Sequence, residues 1–226
     1  LAAIEHCLAV CTAADARAVV SALAGGVDSG NVGVVITACK AIVMFVTVVK
    51  QSAVAAAKTA SKSSSSKSDA KADAAAAPML LASARAALPS LCNSLIDATE
   101  ATPARTHKEL GMALAACIGL LPKKRVAAVV ERLLAAAGVS LPEGCGEAVR
   151  AQDEYEGGSG KCRYSHTAPE GVVVEPAAGA AGAAMLLREL VRLASSKVKP
   201  HLTSIATTAL FMIHWVHLSS EQGQIP

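Results

Sequence analysis

The sequence predicts an all-α fold, and three observations support this prediction. Apolar residues make up 53% of the 226 residues but aromatic residues only 2%, so the apolar content comes mainly from Ala, Leu and Val. Alanine alone is roughly a fifth of the chain, and alanine is the strongest helix former. Prolines precede several apolar segments, a position that suits the first turn of a helix. The shortage of aromatic residues, which favour strands, argues against an all-β fold.

The first predicted unit, residues 1–57, consists of helices and includes one long buried helix. Its opening apolar residues recur at helical spacing. Thr12 is followed three residues later by Asp15, which is the arrangement of a helix N-cap. We expect the helix that follows to end at Gly25 and Gly26, because glycine often terminates helices.

Residues 32–49 are apolar and long enough to raise the question of a membrane span. Asn31 is placed to cap a helix here. The polar residues fall on one stripe of that helix, which contains Gly33, Thr37, Lys40, Thr47 and Gln51, with Met44 between them. A helix enclosed by protein neighbours shows such a narrow exposed edge, whereas a lysine in mid-span costs about 3 kcal/mol in lipid. We therefore predict a buried helix of a soluble domain, with an integral membrane segment as the alternative.

Residues 58–77 are predicted to form a disordered linker. They are rich in Ser, Lys and Ala and contain few bulky apolar side chains. Such a segment cannot bury enough apolar surface to offset the entropy lost on ordering.

Residues 78–226 are predicted to form a helical region with a polar insertion at about 143–175. Four of its helices are expected to begin at prolines, namely Pro78, Pro89, Pro103 and Pro122. The short connections make neighbouring helices antiparallel. Two closing helices are expected to pack on each other through Leu186, Leu187, Leu190 and Leu193 in the first and Leu202, Ile205, Met212, Ile213 and Val216 in the second.

The last quarter of the chain resembles one unit of the HEAT and armadillo families. AMLLRELVRLASSK suits a first helix, VKP a tight turn and HLTSIATTALFMI a second helix. The segments between 78 and 138 resemble such units more loosely. The resemblance implies antiparallel helix pairs stacked as an α-solenoid. A compact helical bundle is the alternative.

The candidate chemistry of the chain is sparse. Its seven cysteines are scattered and lie mostly in apolar helical patterns, which favours reduced thiols in an intracellular compartment. No complete metal-ligand spacing is present, although Cys145, Cys162 and His166 leave a metal in the polar insertion as an open question. Neither a Gly-x-Ser-x-Gly elbow nor a phosphate-binding glycine loop occurs. We therefore expect no enzyme activity, no cofactor and no small-molecule substrate.

Basic residues at two predicted inter-helix turns are the candidate contacts for a partner or a phosphate group. They are Lys123, Lys124, Arg125, Lys197 and Lys199. The net charge of +3 at pH 7 is too small to indicate a nucleic-acid-binding protein by itself. An acidic partner, RNA phosphate or plain solvent are the alternatives for this edge.

These observations favour a non-enzymatic helical-repeat scaffold that mediates protein–protein interaction in a macromolecular assembly. We expect the chain to be a segment of a larger intracellular protein, cytoplasmic or nuclear, with other proteins as its partners. One alternative is an RNA-associated ribosome or ribonucleoprotein assembly factor that uses the basic turns. The other is an integral membrane protein segment.

Overall fold

The protein is helical throughout the residues that the structure, a computed structural model, describes. These are residues 12, 15–62, 69–137, 179–206 and 208–209, with the backbone alone described for 59–62 and 69–77. The α-helices are α1 (Asp15–Val27), α2 (Val32–Lys62), α3 (Asp69–Ala101), α4 (His107–Leu120), α5 (Lys123–Ala137), α6 (Ala180–Leu193) and α7 (Ser195–Val198). Short 3-10 turns lie at Ala104–Thr106 and Lys199–His201. These described ranges contain no strand, which agrees with the predicted all-α class.

The predicted cap of α1 is confirmed. The backbone N–H of Thr12 donates to the Asp15 carboxylate at 3.0 Å, and the N–H of Asp15 donates back to the Thr12 hydroxyl at 3.4 Å. The Thr12 hydroxyl also donates to the Asp15 carboxylate at 2.5 Å, and this bond, followed by that from the Thr12 N–H, lowers the pKa of Asp15. The helix continues through Gly25 and Gly26 and ends at Val27, slightly later than predicted.

The predicted cap and exposed edge of α2 are also confirmed. The side-chain oxygen of Asn31 accepts hydrogen bonds from the N–H groups of Gly33 and Val34, at 2.9 and 3.2 Å. The predicted stripe residues Gly33, Thr37, Lys40, Thr47 and Gln51 are all exposed. Val34 was expected on a buried face, but it is 45% exposed because it borders an open groove between α1 and α2.

The prediction that helices begin at Pro78 and Pro89 is wrong. Both prolines lie inside the single helix α3. An interior proline costs about 3 kcal/mol because it removes one backbone hydrogen bond and clashes with the preceding turn. Around Pro89 the fully buried Leu88 and Leu91 offset this cost, since burying each leucine side chain stabilises the fold by about 1.5–3 kcal/mol. Pro103 and Pro122, in contrast, do precede new helical segments.

The predicted linker is only partly within the described residues. The backbone of 58–62 continues α2, and the backbone of 69–77 forms the start of α3. Residues 63–68 lie outside the described part, as do the polar insertion predicted at about 143–175 and the end of the closing helix after 209.

The core is one continuous cluster to which every long helix contributes. α4 is its centre, because it packs on α2, α3 and α6. α1 packs on α2 and α3, whereas α5 packs on α3 and α6. The largest fully buried side chains are Phe45, Ile42, Leu88, Leu91, Leu95, Leu110, Leu114, Ile118, Leu121, Leu133, Leu186 and Leu190.

The closing helix pair differs from the predicted form in two respects. α6 ends at Leu193, and the backbone breaks at Ala194 before the short α7. Leu193, the last residue of α6, and Leu202 were expected in the core, but they are 48% and 39% exposed. Ile205 is buried as predicted.

Candidate interaction surface

The structure places the predicted basic residues at one end of the helical array. Lys123, Lys124 and Arg125 form the first turn of α5 and are exposed. Lys197 lies in α7 and is half-buried, and Lys199 is exposed in the following 3-10 turn.

A hydrogen bond joins the two basic turns, which are far apart in sequence. The ammonium group of Lys197 donates to the backbone carbonyl of Leu121 at 3.1 Å. Leu121 is two residues before Lys123, and α5 packs on α7. The two groups of cations therefore form one surface.

Two further cations, which sequence reasoning missed, converge on the same end of α4. The guanidinium of Arg85 donates to the carbonyl of Leu120 at 2.8 Å. The ammonium group of Lys50 lies 2.8 Å from the position that a Cβ atom at Gly119 would occupy. Both come from the middle of long helices, so no local signal in the sequence connects them to the turn.

We call this surface the basic end. It consists of Lys50, Arg85, Lys123, Lys124, Arg125 and Lys197, with Lys199 adjacent. Arg85 bonds the last carbonyl group of α4, where the helix dipole favours positive charge, and Lys197 bonds the carbonyl of Leu121, the residue that follows the helix. The three cations of α5 occupy a helix N-terminus, where the dipole disfavours them.

No carboxylate neutralises the basic end among the described side chains. The ion pairs among the described side chains join Arg132 to Asp97, and Arg188 and Arg192 to Glu189. None of them includes a cation of the basic end, so this surface carries an uncompensated positive charge.

Three buried thiols meet in the core between α2, α3 and α4. Burial raises the pKa of Cys39 to about 12, and the Glu109 carboxylate adds to the shift. A hydrogen bond with Cys92, together with burial, raises the pKa of Cys117. A thiol held in its neutral form is a poor nucleophile and a poor metal ligand, so Cys39 and Cys117 act as core packing. Cys92 is likewise buried in the core.

Metal-ligating residues are not grouped in the described helices, where no three His, Cys, Asp or Glu side chains are placed to hold an ion. Cys145, Cys162 and His166 lie outside that part of the chain. The buried His107 bonds the carbonyl of Thr102 through Nε2 at 3.1 Å, which satisfies a polar ring inside the core.

An open apolar groove of about 540 Å³ lies between α1 and α2. It is lined by Leu23, Asn31, Gly33, Val34, Thr37, Ala38 and Ala41. None of these side chains titrates near neutral pH, so the groove offers no acid, base or strong nucleophile for catalysis.

Two helical stretches, Val32–Lys58 and Pro78–Ala101, are long and apolar enough to cross a membrane. In each, less than half of the most apolar part is buried within the protein. Core helices of soluble proteins meet the same criteria of length and composition, so these two stretches decide neither for nor against a membrane location.

Comparison of the chain with protein-family models, with curated proteins and with solved structures found no match. The resemblance to HEAT and armadillo units therefore depends on the sequence pattern alone.

Proposed function

We propose that the protein is a helical-repeat scaffold that holds other proteins in a macromolecular assembly. The observation that carries this proposal is the order of helix contacts. Counted among the described helices alone, second neighbours pack on each other as α1 with α3, α2 with α4, α4 with α6 and, less extensively, α3 with α5. Stacked helix pairs produce this order because each layer contains every second helix.

The ends of the described array support an open arrangement over a closed bundle. Among the described helices, α1 has no extensive contact with α5 or α6. A closed bundle brings its first and last helices together around one axis. An array of pairs leaves them apart and creates long faces on which partners bind.

The chemistry of the described surface also supports binding over catalysis. The open groove contains no titrating group, and the buried thiols of Cys39 and Cys117 are held neutral. Lys40 is exposed on α2, and Arg105 and Lys108 are exposed at the start of α4. Polar surface on more than one helix suits contacts with other macromolecules.

The proposal is tested by isolating the tagged full-length protein from its own cells after gentle lysis, followed by lysine crosslinking and mass spectrometry. We expect elution in an assembly larger than the monomer, with crosslinks from Lys40 and Lys108 to partner proteins. Elution as a free monomer without such crosslinks contradicts the scaffold proposal. Recovery only from detergent-solubilised membranes supports the membrane alternative instead.

A further inference from the structure

We propose that the basic end binds a nucleic-acid duplex through its phosphate backbone. This inference adds a nucleic-acid activity to the scaffold function, and it stands or falls independently of the helix stacking. It begins from the cations gathered at the end of α4. Arg85 and Lys197 bond the carbonyls of Leu120 and Leu121, Lys50 lies beside Gly119, and Lys123, Lys124 and Arg125 follow directly in sequence.

The division of roles within the basic end shows which charges are available to a ligand. Arg85 and Lys197 each use a donor on the end of α4, so their positions are fixed. Lys123, Lys124 and Arg125 are exposed and unpaired with any described carboxylate. These three cations raise the energy of the α5 N-terminus, and an anion bound beside them relieves that repulsion.

The composition of the basic end fits phosphate better than a protein surface. Four of its six cations are lysines, and lysine is depleted in protein–protein interfaces, which centre on aromatic and other apolar anchors. Two exposed aliphatic side chains stand near these cations in sequence, Val54 one helical turn after Lys50 and Leu202 three residues after Lys199, but neither is aromatic. Lysine and arginine without aromatic anchors among the described residues are the usual contacts to a phosphate backbone.

The absence of an aromatic platform in the described part of the chain favours a duplex over a single strand. Phe45 is the one Phe, Tyr or Trp residue there, and it is buried in the core. Proteins that bind single strands stack the bases on exposed aromatic rings. Duplex RNA is instead recognised by shape and by contacts to phosphate and ribose.

The test is the salt dependence of binding to a blunt RNA duplex of mixed sequence, measured by fluorescence anisotropy with the full-length protein. The test variant carries Lys123→Gln, Lys124→Gln and Arg125→Gln. The matched control carries Lys40→Gln, Arg105→Gln and Lys108→Gln, which removes the same charge from exposed sites elsewhere. Arg105 and Lys108 lie at the opposite end of α4, about 20 Å away along the helix.

We expect the test variant to lose about three units from the slope of log K against log salt, one for each phosphate contact removed. Its affinity at moderate salt falls about tenfold or more. The control keeps both the slope and the affinity of the original protein. A third variant, Lys50→Gln, removes a single cation of the basic end and lowers the slope of log K against log salt by about one unit.

Three results overturn the proposal. The first is an equal loss of affinity in the control, which shows that only total charge matters. The second is no change in any variant, which places RNA binding elsewhere or nowhere. The third is binding of an acidic peptide, such as poly-glutamate, as tightly as the duplex at the same salt concentration, because this would identify an acidic protein as the ligand. Circular dichroism melts of all variants confirm that each remains folded.

Discussion

Gly111 of α4 lies directly beneath Glu189 of α6: a Cβ atom at Gly111 would be 2.8 Å from the Cβ of Glu189. Glu189 is buried, and its carboxylate accepts hydrogen bonds from Nε and Nη2 of Arg192 at 2.8 and 2.6 Å. The glycine therefore allows two helices to approach closely while a carboxylate is enclosed between them.

Replacing this glycine is expected to destabilise the fold. In Gly111→Ala, the new methyl group meets the Cβ of Glu189 and lies near the backbone of Leu186, so relief requires movement of α6. Such overpacking costs about 1–3 kcal/mol. Urea unfolding followed by circular dichroism measures the change.

The matched control for this substitution is Gly25→Ala. Gly25 is also helical, but it is exposed and a Cβ there meets no atom within 4 Å. Alanine favours the helix, so we expect a gain of about 0.5–1 kcal/mol. Equal effects at the two positions would contradict the close approach of α4 and α6.

The two faces of α2 are expected to respond differently to truncation. Phe45 is 1% exposed and among the largest buried side chains. Phe45→Ala should therefore cost about 3–5 kcal/mol of unfolding free energy. Thr47 is exposed and its hydroxyl bonds only the carbonyl of Val43 in its own helix, so Thr47→Ala should change stability by less than about 0.5 kcal/mol. Thermal melts in buffer without detergent distinguish the two outcomes, and similar melting temperatures would mean that α2 has no core-facing side.

Ile205 tests whether the chain after α7 belongs to the core. It is 8% exposed, and Ile205→Asp buries an uncompensated carboxylate at a cost of about 3 kcal/mol or more. Ala206→Asp introduces the same charge at the exposed neighbouring position, where the cost should stay below about 1 kcal/mol. If guanidinium unfolding shows the same loss for both variants, the buried position of Ile205 is wrong.

The raised pKa of Cys39 predicts a loss of stability in alkali. The thiol holds its proton in the folded state up to a pKa of about 12, whereas an unfolded cysteine loses it near pH 8.5. The unfolded chain thus binds fewer protons than the folded chain between these two pKa values. The contribution of the neutral Cys39 thiol to the free energy of unfolding is therefore complete below about pH 8.5 and is lost as the pH rises toward about 12.

Cys39→Ala separates this contribution from the other alkaline titrations. The variant is less stable at neutral pH because it leaves a cavity, but its stability should fall less steeply with pH. Denaturant titrations across the alkaline range measure both slopes. Parallel curves for the two proteins would show that Cys39 is not held neutral by the fold.

Local signals in the sequence predicted the helix termini and the face of α2. Thr12, Asp15 and Asn31 act within three residues of the groups that they bond, so their role depends on spacing alone. The polar stripe of α2 is likewise a consequence of helical periodicity. Features of this kind need no knowledge of the tertiary fold.

The interior prolines show where such local reasoning fails. A proline near an apolar segment is ordinarily a sign of a helix start. At Pro89 the helix continues because Leu88 and Leu91 are buried in the core, and the stabilisation from this packing cannot be predicted from the residues around the proline.

The basic end was predictable only in part for the same reason. Lys123 to Arg125 are visible as a charged turn, and Lys197 as another. The two turns are brought together by the hydrogen bond from Lys197 to the carbonyl of Leu121, which spans 76 residues of sequence. Arg85 and Lys50 join them only because α2 and α3 run past the end of α4.

The central position of α4 also determines which helices unfold locally and which associate first during folding. Because α4 is covered by α2, α3 and α6, its amide protons should exchange with deuterium most slowly, whereas α1 and α7 should exchange through local opening. The contacts of α4 with α2 and α3 join helices that are nearer in sequence, whereas its contact with α6 closes a loop of about 60 residues, which costs more entropy. We therefore expect α2, α3 and α4 to associate first during folding and α6 to add later.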